Sequence, residues 1–238
     1  MVTTSLQQVL ETPNHAKAKA LAVHRRLLAE YGPHQPGEHT LDPLSQLINT
    51  ILSQNTSDVN RDRAYQTLRS RLPTWEQVRT ASVTAIEDAI HTGGLAAIKA
   101  PRIKSVLERI KSERGDLSLD FLLDQPVAQA RDWLTSLKGV GHKTAACVLL
   151  FAMHKPAFPV DTHVHRVTRR LGLVPEKSST KRTCELLEAM VAPELYYAFH
   201  LNLIAHGRQV CKSHRPRCYA CTIEDLCDFR DKNLGPLQ

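Results

Sequence analysis

Aromatic residues are scarce in this sequence, at 5% of 238 positions. A β-rich fold draws on aromatic and β-branched side chains, so their scarcity turns the expectation towards helices, which the abundant Leu, Ala, Arg and Gln favour. No run of about 18 consecutive apolar residues occurs, which excludes a simple membrane-spanning helix. Repeats, heptad arrays and low-complexity segments are missing too. The opening MVTTSLQQVLETPNHAKAK lacks the basic start, apolar stretch and small-residue cleavage site of a secretory signal. We therefore expect an intracellular, cytoplasmic protein, associated with the nucleoid if the source is bacterial. Clustered cysteines in such a chain speak for metal rather than disulfides.

Acidic residues are missing from one long stretch. The net charge of +7 alone fits either ordinary solubility or a polyanionic partner. Between residues 195 and 223, however, there is no Asp or Glu, while Arg208, Lys212, Arg215, Arg217, His200, His206 and His214 all lie there. One sign of charge over such a length reads as a nucleic-acid contact surface.

What is present is helical periodicity. Hydrophobic residues, 42% of the chain, are ample for a core. Residues 16–31 place Leu21, Leu27 and Leu28 on one stripe and stop at Gly32-Pro33. PHQPGEH (33–39) reads as a linker. Asp42-Pro43 opens a helix through Leu44, Leu47, Ile48, Ile51 and Leu52, and Asp58 is placed to cap the next, which runs to about Leu72. Short segments are expected from Thr74, Ser82 and Pro101, with a Gly93-Gly94-Leu95 loop before the last. Further helices are expected from Gln125-Pro126 to Leu137, over 142–153, and over 161–171, 180–191 and 194–206, with a loop-like tail from Gly207. The fold class is all-α, in short helices.

Three motifs carry chemistry. In Leu137-Lys138-Gly139-Val140-Gly141-His142-Lys143, two glycines flank one apolar residue ahead of an apolar helix. Glycines there permit positive φ and close backbone approach, and free N–H groups beside a helix N-terminus suit a phosphate oxygen. This is the helix–hairpin–helix pattern of sequence-independent DNA binding. Lys143, just behind it, could touch phosphate or act as a nucleophile.

In Pro159-Val160-Asp161-Thr162-His163-Val164, the carboxylate of Asp161 is a good N-cap for a helix whose apolar side includes Val164, Val167 and Leu171. Capping is compatible with catalysis if the carboxylate also faces a cleft. Asp-x-His-x-His suggests metal, but helical neighbours two apart do not face the same way. Finally, Cys211, Cys218, Cys221 and Cys227 give C-x6-C-x2-C-x5-C, a metal-binding spacing that alone fits zinc or an iron–sulfur cluster. Cys147 and Cys184 fall within helical patterns and read as packing residues.

Taken in order, LKGVGHKTA, PVDTHVHRV and the four-cysteine run resemble the endonuclease III family, and the resemblance extends from about residue 36 to Cys227. It implies a [4Fe–4S] cluster on Cys211, Cys218, Cys221 and Cys227. It also implies two helical lobes flanking a DNA groove. A six-helix barrel over 36–155 would carry the hairpin at 137–153, and a cluster lobe would combine 1–35 with 156–238. By matching position, Lys143 is the nucleophile and Asp161 the carboxylate. Gly139, Val140, Gly141, Gln54, Asn55, Leu95, His163 and Lys212 are the expected DNA contacts.

Where the family often has Leu-Ser-x-Gln-x-x-Asp, this chain has Leu52-Ser53-Gln54-Asn55-Thr56-Ser57-Asp58, with Asn55 in the place of the gap-filling Gln. Leu95 matches the wedge leucine, but its usual Tyr-Asn-Ser neighbours are Ala96-Ala97-Ile98. The implied activity is a bifunctional glycosylase and abasic-site lyase removing oxidised pyrimidines from double-stranded DNA, working as a monomer. Purely hydrolytic relatives lack a lysine at this place. The alternatives are a monofunctional mismatch or alkylated-base glycosylase and a non-enzymatic DNA-binding iron–sulfur protein.

Overall fold

The computed structural model describes residues 4–35, 37 and 41–235, with side chains described from Asn14 onward. Of the expected linker, Pro36, Glu38 and His39 lie outside the described residues, as do residues 1–3 of the N-terminal segment. Among the described residues all regular structure is helical: α1 Thr4–Tyr31, α2 Pro43–Leu52, α3 Asp58–Arg71, α4 Trp75–Thr80, α5 Val83–Ile90, α6 Ala96–Arg114, α7 Val127–Ser136, α8 His142–Phe151, α9 Thr162–Arg170, α10 Thr180–Met190 and α11 Tyr196–Gln209, with short 3₁₀ turns between. The chain divides into two compact units, one of Met1–Gly37 with Pro156–Gln238 and the other of Glu38–Lys155.

Caps set most of the helix starts. Asp42 accepts from the Ser45 N–H, Ser82 from Ala85 and Ser179 from Arg182, while Thr74 and Gln77 form a reciprocal capping box. The cap of α3 is Ser57, not Asp58: its side chain accepts from the Asn60 N–H, and Asp58 sits in the first turn, paired with Arg61. A carboxylate there complements the helix dipole, which is why either residue fitted the pattern. Pro101 does not open a helix either. It lies in the second turn of α6, which begins at Ala96 behind Leu95.

In the unit 38–155, α2 lies against α3, α6 and α8, while α5 packs on α6 and α7 on α8. Leu47, Ile48, Ile51, Leu52, Ile86, Ile103 and Leu107 are fully buried in it. In the other unit, α1 packs on α10 and α11, and α11 on α9. The buried stripe of α1 is Ala20, Val23, His24 and Leu27, and Leu21 is 38% exposed. Of the expected stripe, Leu27 is fully buried and Leu28 half-buried, while Leu21 gives way to His24, which packs edge-on against Phe199. Phe158, just ahead of α9, is fully buried and meets the rings of Tyr196, Phe199 and His200. Phe158→Ala should cost about 3–5 kcal/mol of stability, read from denaturant melts, because the cavity it leaves cannot collapse among three rings. A loss below about 1 kcal/mol would show that these rings repack freely.

Candidate active site

The hairpin between α7 and α8 turns on one glycine rather than two. Gly139 has φ +83° and a Val140 N–H to Leu137 carbonyl bond of 3.0 Å closes the turn, with Val140 buried beneath it. Gly141 instead is extended backbone (φ −95°, ψ 176°) and serves as the N-cap of α8. No side chain caps that helix, so its first-turn N–H groups are open to an acceptor from outside. A Cβ added at Gly141 would meet nothing, so the fold does not require glycine here. Lys143 follows in the first turn of α8, half-buried.

Two further loops of this unit carry expected DNA contacts. Asn55 is exposed with φ 51°, and Gln54 is half-buried with its Oε1 accepting from Arg102 at 2.6 Å. Leu95 is also left-handed, φ 54°, and 46% exposed at the N-cap of α6. A non-glycine residue at positive φ is uncommon, and a leucine both strained and solvent-facing is stabilised by neither backbone nor burial.

In the other unit, Asp161 is the N-cap of α9: its Oδ1 accepts from the Val164 N–H at 2.7 Å, and the side chain is half-buried. The histidines after it part company. The His163 Nδ1 lies 3.1 Å from an Arg166 nitrogen, while the His165 Nε2 meets the Ser178 carbonyl at 2.7 Å. Burial holds His163 below its ordinary pKa. Arg166 also donates to the carbonyls of Gly207 and Cys211, and Arg170 to those of Lys212 and Ser213. These two arginines, to which the sequence reading gave no role, hold the chain where it leaves α11. Lys212 is half-buried on that segment.

The acid-free stretch is less of a surface than its composition suggests. His200 and His206 are buried, His200 bonded to the Pro159 carbonyl at 2.9 Å, which leaves Arg208, His214, Arg215 and Arg217 as its exposed bases. Cys211, Cys218, Cys221 and Cys227 line one cavity, walled by Val167, Leu171 and Ile223. Burial, and then the sulfurs of Cys227, Cys211 and Cys218, push the Cys221 thiol up to about 11, against the lowering effect of a backbone N–H from Ile223. Among the described residues no three His, Cys, Asp or Glu side chains converge as a single ion would require. The sulfurs have polar neighbours: an Arg170 nitrogen reaches the Cys211 Sγ at 3.5 Å, and the His206 Nε2 lies 3.6 Å from the Cys221 Sγ. Burial pushes His206 down to about 4, so the ring is neutral, and its Nδ1 meets the Tyr31 hydroxyl at 3.2 Å. Cys147 and Cys184 are buried in α8 and α10.

Residues 48–193 match the family model of the HhH-GPD superfamily of base excision DNA repair proteins. The chain belongs to that superfamily. It is 36% identical over 197 residues to endonuclease III of Sulfolobus acidocaldarius, covering 82% of this chain and 86% of that one. A candidate DNA glycosylase of Arabidopsis thaliana is 39% identical over 194 residues, 79% of this chain but 66% of the plant protein. Among solved structures, a trapped endonuclease III–DNA covalent intermediate superposes with a TM-score of 0.76 at 27% identity, over 89% of this chain and 95% of that one. The all-helical fold is therefore the endonuclease III fold, and the chain is an endonuclease III-like DNA glycosylase of base excision repair.

For such a glycosylase the two hairpin glycines make separable predictions. Gly139→Ala should destabilise the fold by about 1 kcal/mol or more, since it forces a Cβ into the left-handed region. Gly141→Thr should shift stability by less than about 0.5 kcal/mol, because threonine caps about as well as glycine and the position is open. It should nonetheless weaken binding to undamaged duplex, measured by fluorescence anisotropy, whatever the sequence. Unchanged binding would remove the backbone approach as the reason for Gly141.

Proposed function

We propose that this chain is a bifunctional DNA glycosylase and abasic-site lyase that removes oxidised pyrimidines from double-stranded DNA. The observation that carries the reading is Lys143 in the first turn of α8, directly behind an uncapped hairpin whose backbone N–H groups suit a phosphate oxygen. A primary amine beside a phosphate anchor suits attack on the sugar of a flipped-out nucleotide. Lys143 attacks C1′ as a neutral amine; the C1′–N bond breaks and the base leaves with a proton. The sugar ring opens to a Schiff base on Lys143. Loss of a C2′ proton then breaks the C3′–O bond, which cuts the strand on the 3′ side of the lesion. Asp161 takes part as a carboxylate, assisting deprotonation of the amine or stabilising positive charge on the sugar. One Asp161 oxygen already caps α9, which fixes the carboxylate's direction.

The cysteine cavity fits an iron–sulfur cluster. The four cysteines line one cavity, apolar side chains wall it, and nitrogens of Arg170 and His206 lie beside two of the sulfurs. Cys211, Cys218, Cys221 and Cys227 would hold a [4Fe–4S] cluster by thiolate ligation, and bound there it would cross-link residues 211–227. We further infer a monomer acting in the cytoplasm, with His163 and Lys212 among its DNA contacts.

Purified protein should be yellow-brown, with broad absorbance near ~400 nm from thiolate-to-iron charge transfer. Cys218→Ser should lose iron and melt earlier than Cys184→Ser. Colourless protein with one equivalent of zinc would overturn the cluster.

The chemistry is tested by borohydride trapping on abasic duplex and by nicking of thymine-glycol and dihydrouracil duplexes. Lys143→Gln should abolish both trapping and strand cleavage while still binding DNA. Asp161→Asn should slow base excision by about 100-fold or more while keeping the cap, since Asn caps nearly as well. Base release without trapping by the unaltered protein would favour the monofunctional alternative, and full activity in Asp161→Asn would reduce Asp161 to a cap.

A further inference from the structure

The three loops assigned to DNA in the unit 38–155 are all tied to the beginning of α6. Lys99 heads the fully buried side chains in volume and is 1% exposed. Its ammonium donates to the Leu52 carbonyl at 2.7 Å and to the Gly93 carbonyl at 2.9 Å. Leu52 closes α2, directly before the loop that carries Gln54 and Asn55. Gly93 closes the 3₁₀ turn directly before Gly94 and Leu95. Three residues further along α6, Arg102 holds the Gln54 Oε1 at 2.6 Å. The same guanidinium lies over Gly139, so that a Cβ on Gly139 would overlap it.

Packing alone does not explain a lysine at position 99. An apolar residue of the same length would fill the site without the desolvation cost of a buried cation. Burial does hold the Lys99 pKa below its ordinary value, the signature of that cost. What the ammonium adds is geometric: one atom within hydrogen-bond reach of two loop carbonyls fixes the spacing between those loops. The loops need fixing. Leu95 holds left-handed backbone, a strain that persists only when the surroundings over-determine it, and Asn55 is left-handed too, in a residue type that tolerates it.

We propose that Lys99 and Arg102 are positioning residues which set the gap-filling loop, the wedge loop and the hairpin at a fixed spacing before DNA arrives. The proposal rests on the DNA-repair reading above, because that reading assigns the three loops to DNA. It predicts that an enlarged spacing would harm duplex opening at a lesion more than it harms phosphate contact.

The test uses full-length protein and a duplex carrying a tetrahydrofuran abasic analogue opposite 2-aminopurine, whose fluorescence rises when it is unstacked. The analogue has no base to excise, so the readout needs no chemistry. The unaltered protein should raise the fluorescence and prefer this duplex to undamaged DNA. Lys99→Met should lower that preference by about 10-fold or more and blunt the fluorescence rise, as loss of two charge-assisted hydrogen bonds would. Its affinity for undamaged duplex should change less than about twofold, because sequence-independent binding is carried by phosphate contacts. Arg102→Met should act in the same direction, and it decides the matter alone if Lys99→Met does not fold.

Equal losses on both duplexes, or no loss on either, would overturn the proposal and leave the pair as ordinary fold residues. An unaltered protein with no fluorescence response would overturn it as well, whatever its excision activity. If the response is intact but the unaltered protein excises nothing, the catalytic reading fails while the positioning role stands.

Discussion

A fold built from short helices has many helix ends, and each C-terminal end leaves carbonyl groups that the helix itself cannot satisfy. In this chain, cationic side chains from other elements answer many of them. Lys99 reaches the end of α2 and the 3₁₀ turn before Leu95, and Lys104, from the same helix, reaches the Arg79 and Ala81 carbonyls at the end of α4. Arg166 and Arg170 do the same for the chain leaving α11. A carbonyl left dry costs about 1–3 kcal/mol, so these bonds decide where successive helices stop relative to one another. Some of the residues assigned to function stand beside those stops: Gln54 and Asn55 follow α2, Leu95 follows the 3₁₀ turn, and Cys211 follows α11.

The same arrangement explains why strain can be kept at the surface. Leu95 holds a backbone conformation that costs of order 1 kcal/mol and does not recover it through burial. A fold that only had to be stable would place glycine there. Gly141 shows the complementary economy: its backbone would accept any residue, and there is room for a side chain. What a glycine preserves there is access to the N–H groups behind it. Under the proposed function, a projecting side chain at Leu95 and a bare backbone at Gly141 are the features that DNA would meet.

Much of this was legible in the sequence. The caps Asp42, Thr74, Ser82 and Asp161, the apolar stripe of α2 and the four-cysteine spacing all act locally, so local pattern finds them. The departures have physical causes of one kind. Ser57 and Asp58 both suit a helix start, and only the backbone shows which one caps. Leu21 is exposed where the stripe had it buried, and His24 is buried because a ring on α11 receives it. Two of three histidines in the basic stretch are interior, since α11 turns them inward. Lys99 and Arg102 left no signal at all: within AAIKAPRI a cation reads as a solvent-facing residue, and the partners Leu52 and Gln54 lie 47 and 48 positions away. Side chains whose role is to satisfy distant carbonyls are invisible to periodicity.

The proposed chemistry depends on one covalent bond, between Lys143 and the C1′ of a damaged nucleotide. Borohydride reduction of the protein on abasic duplex, followed by proteolysis and mass spectrometry of the cross-linked peptide, identifies the amine directly. A single sugar adduct on the nitrogen of Lys143 is the expected result. An adduct on Lys138, on another lysine or on the terminal amine, or no adduct from protein that releases bases, would contradict it.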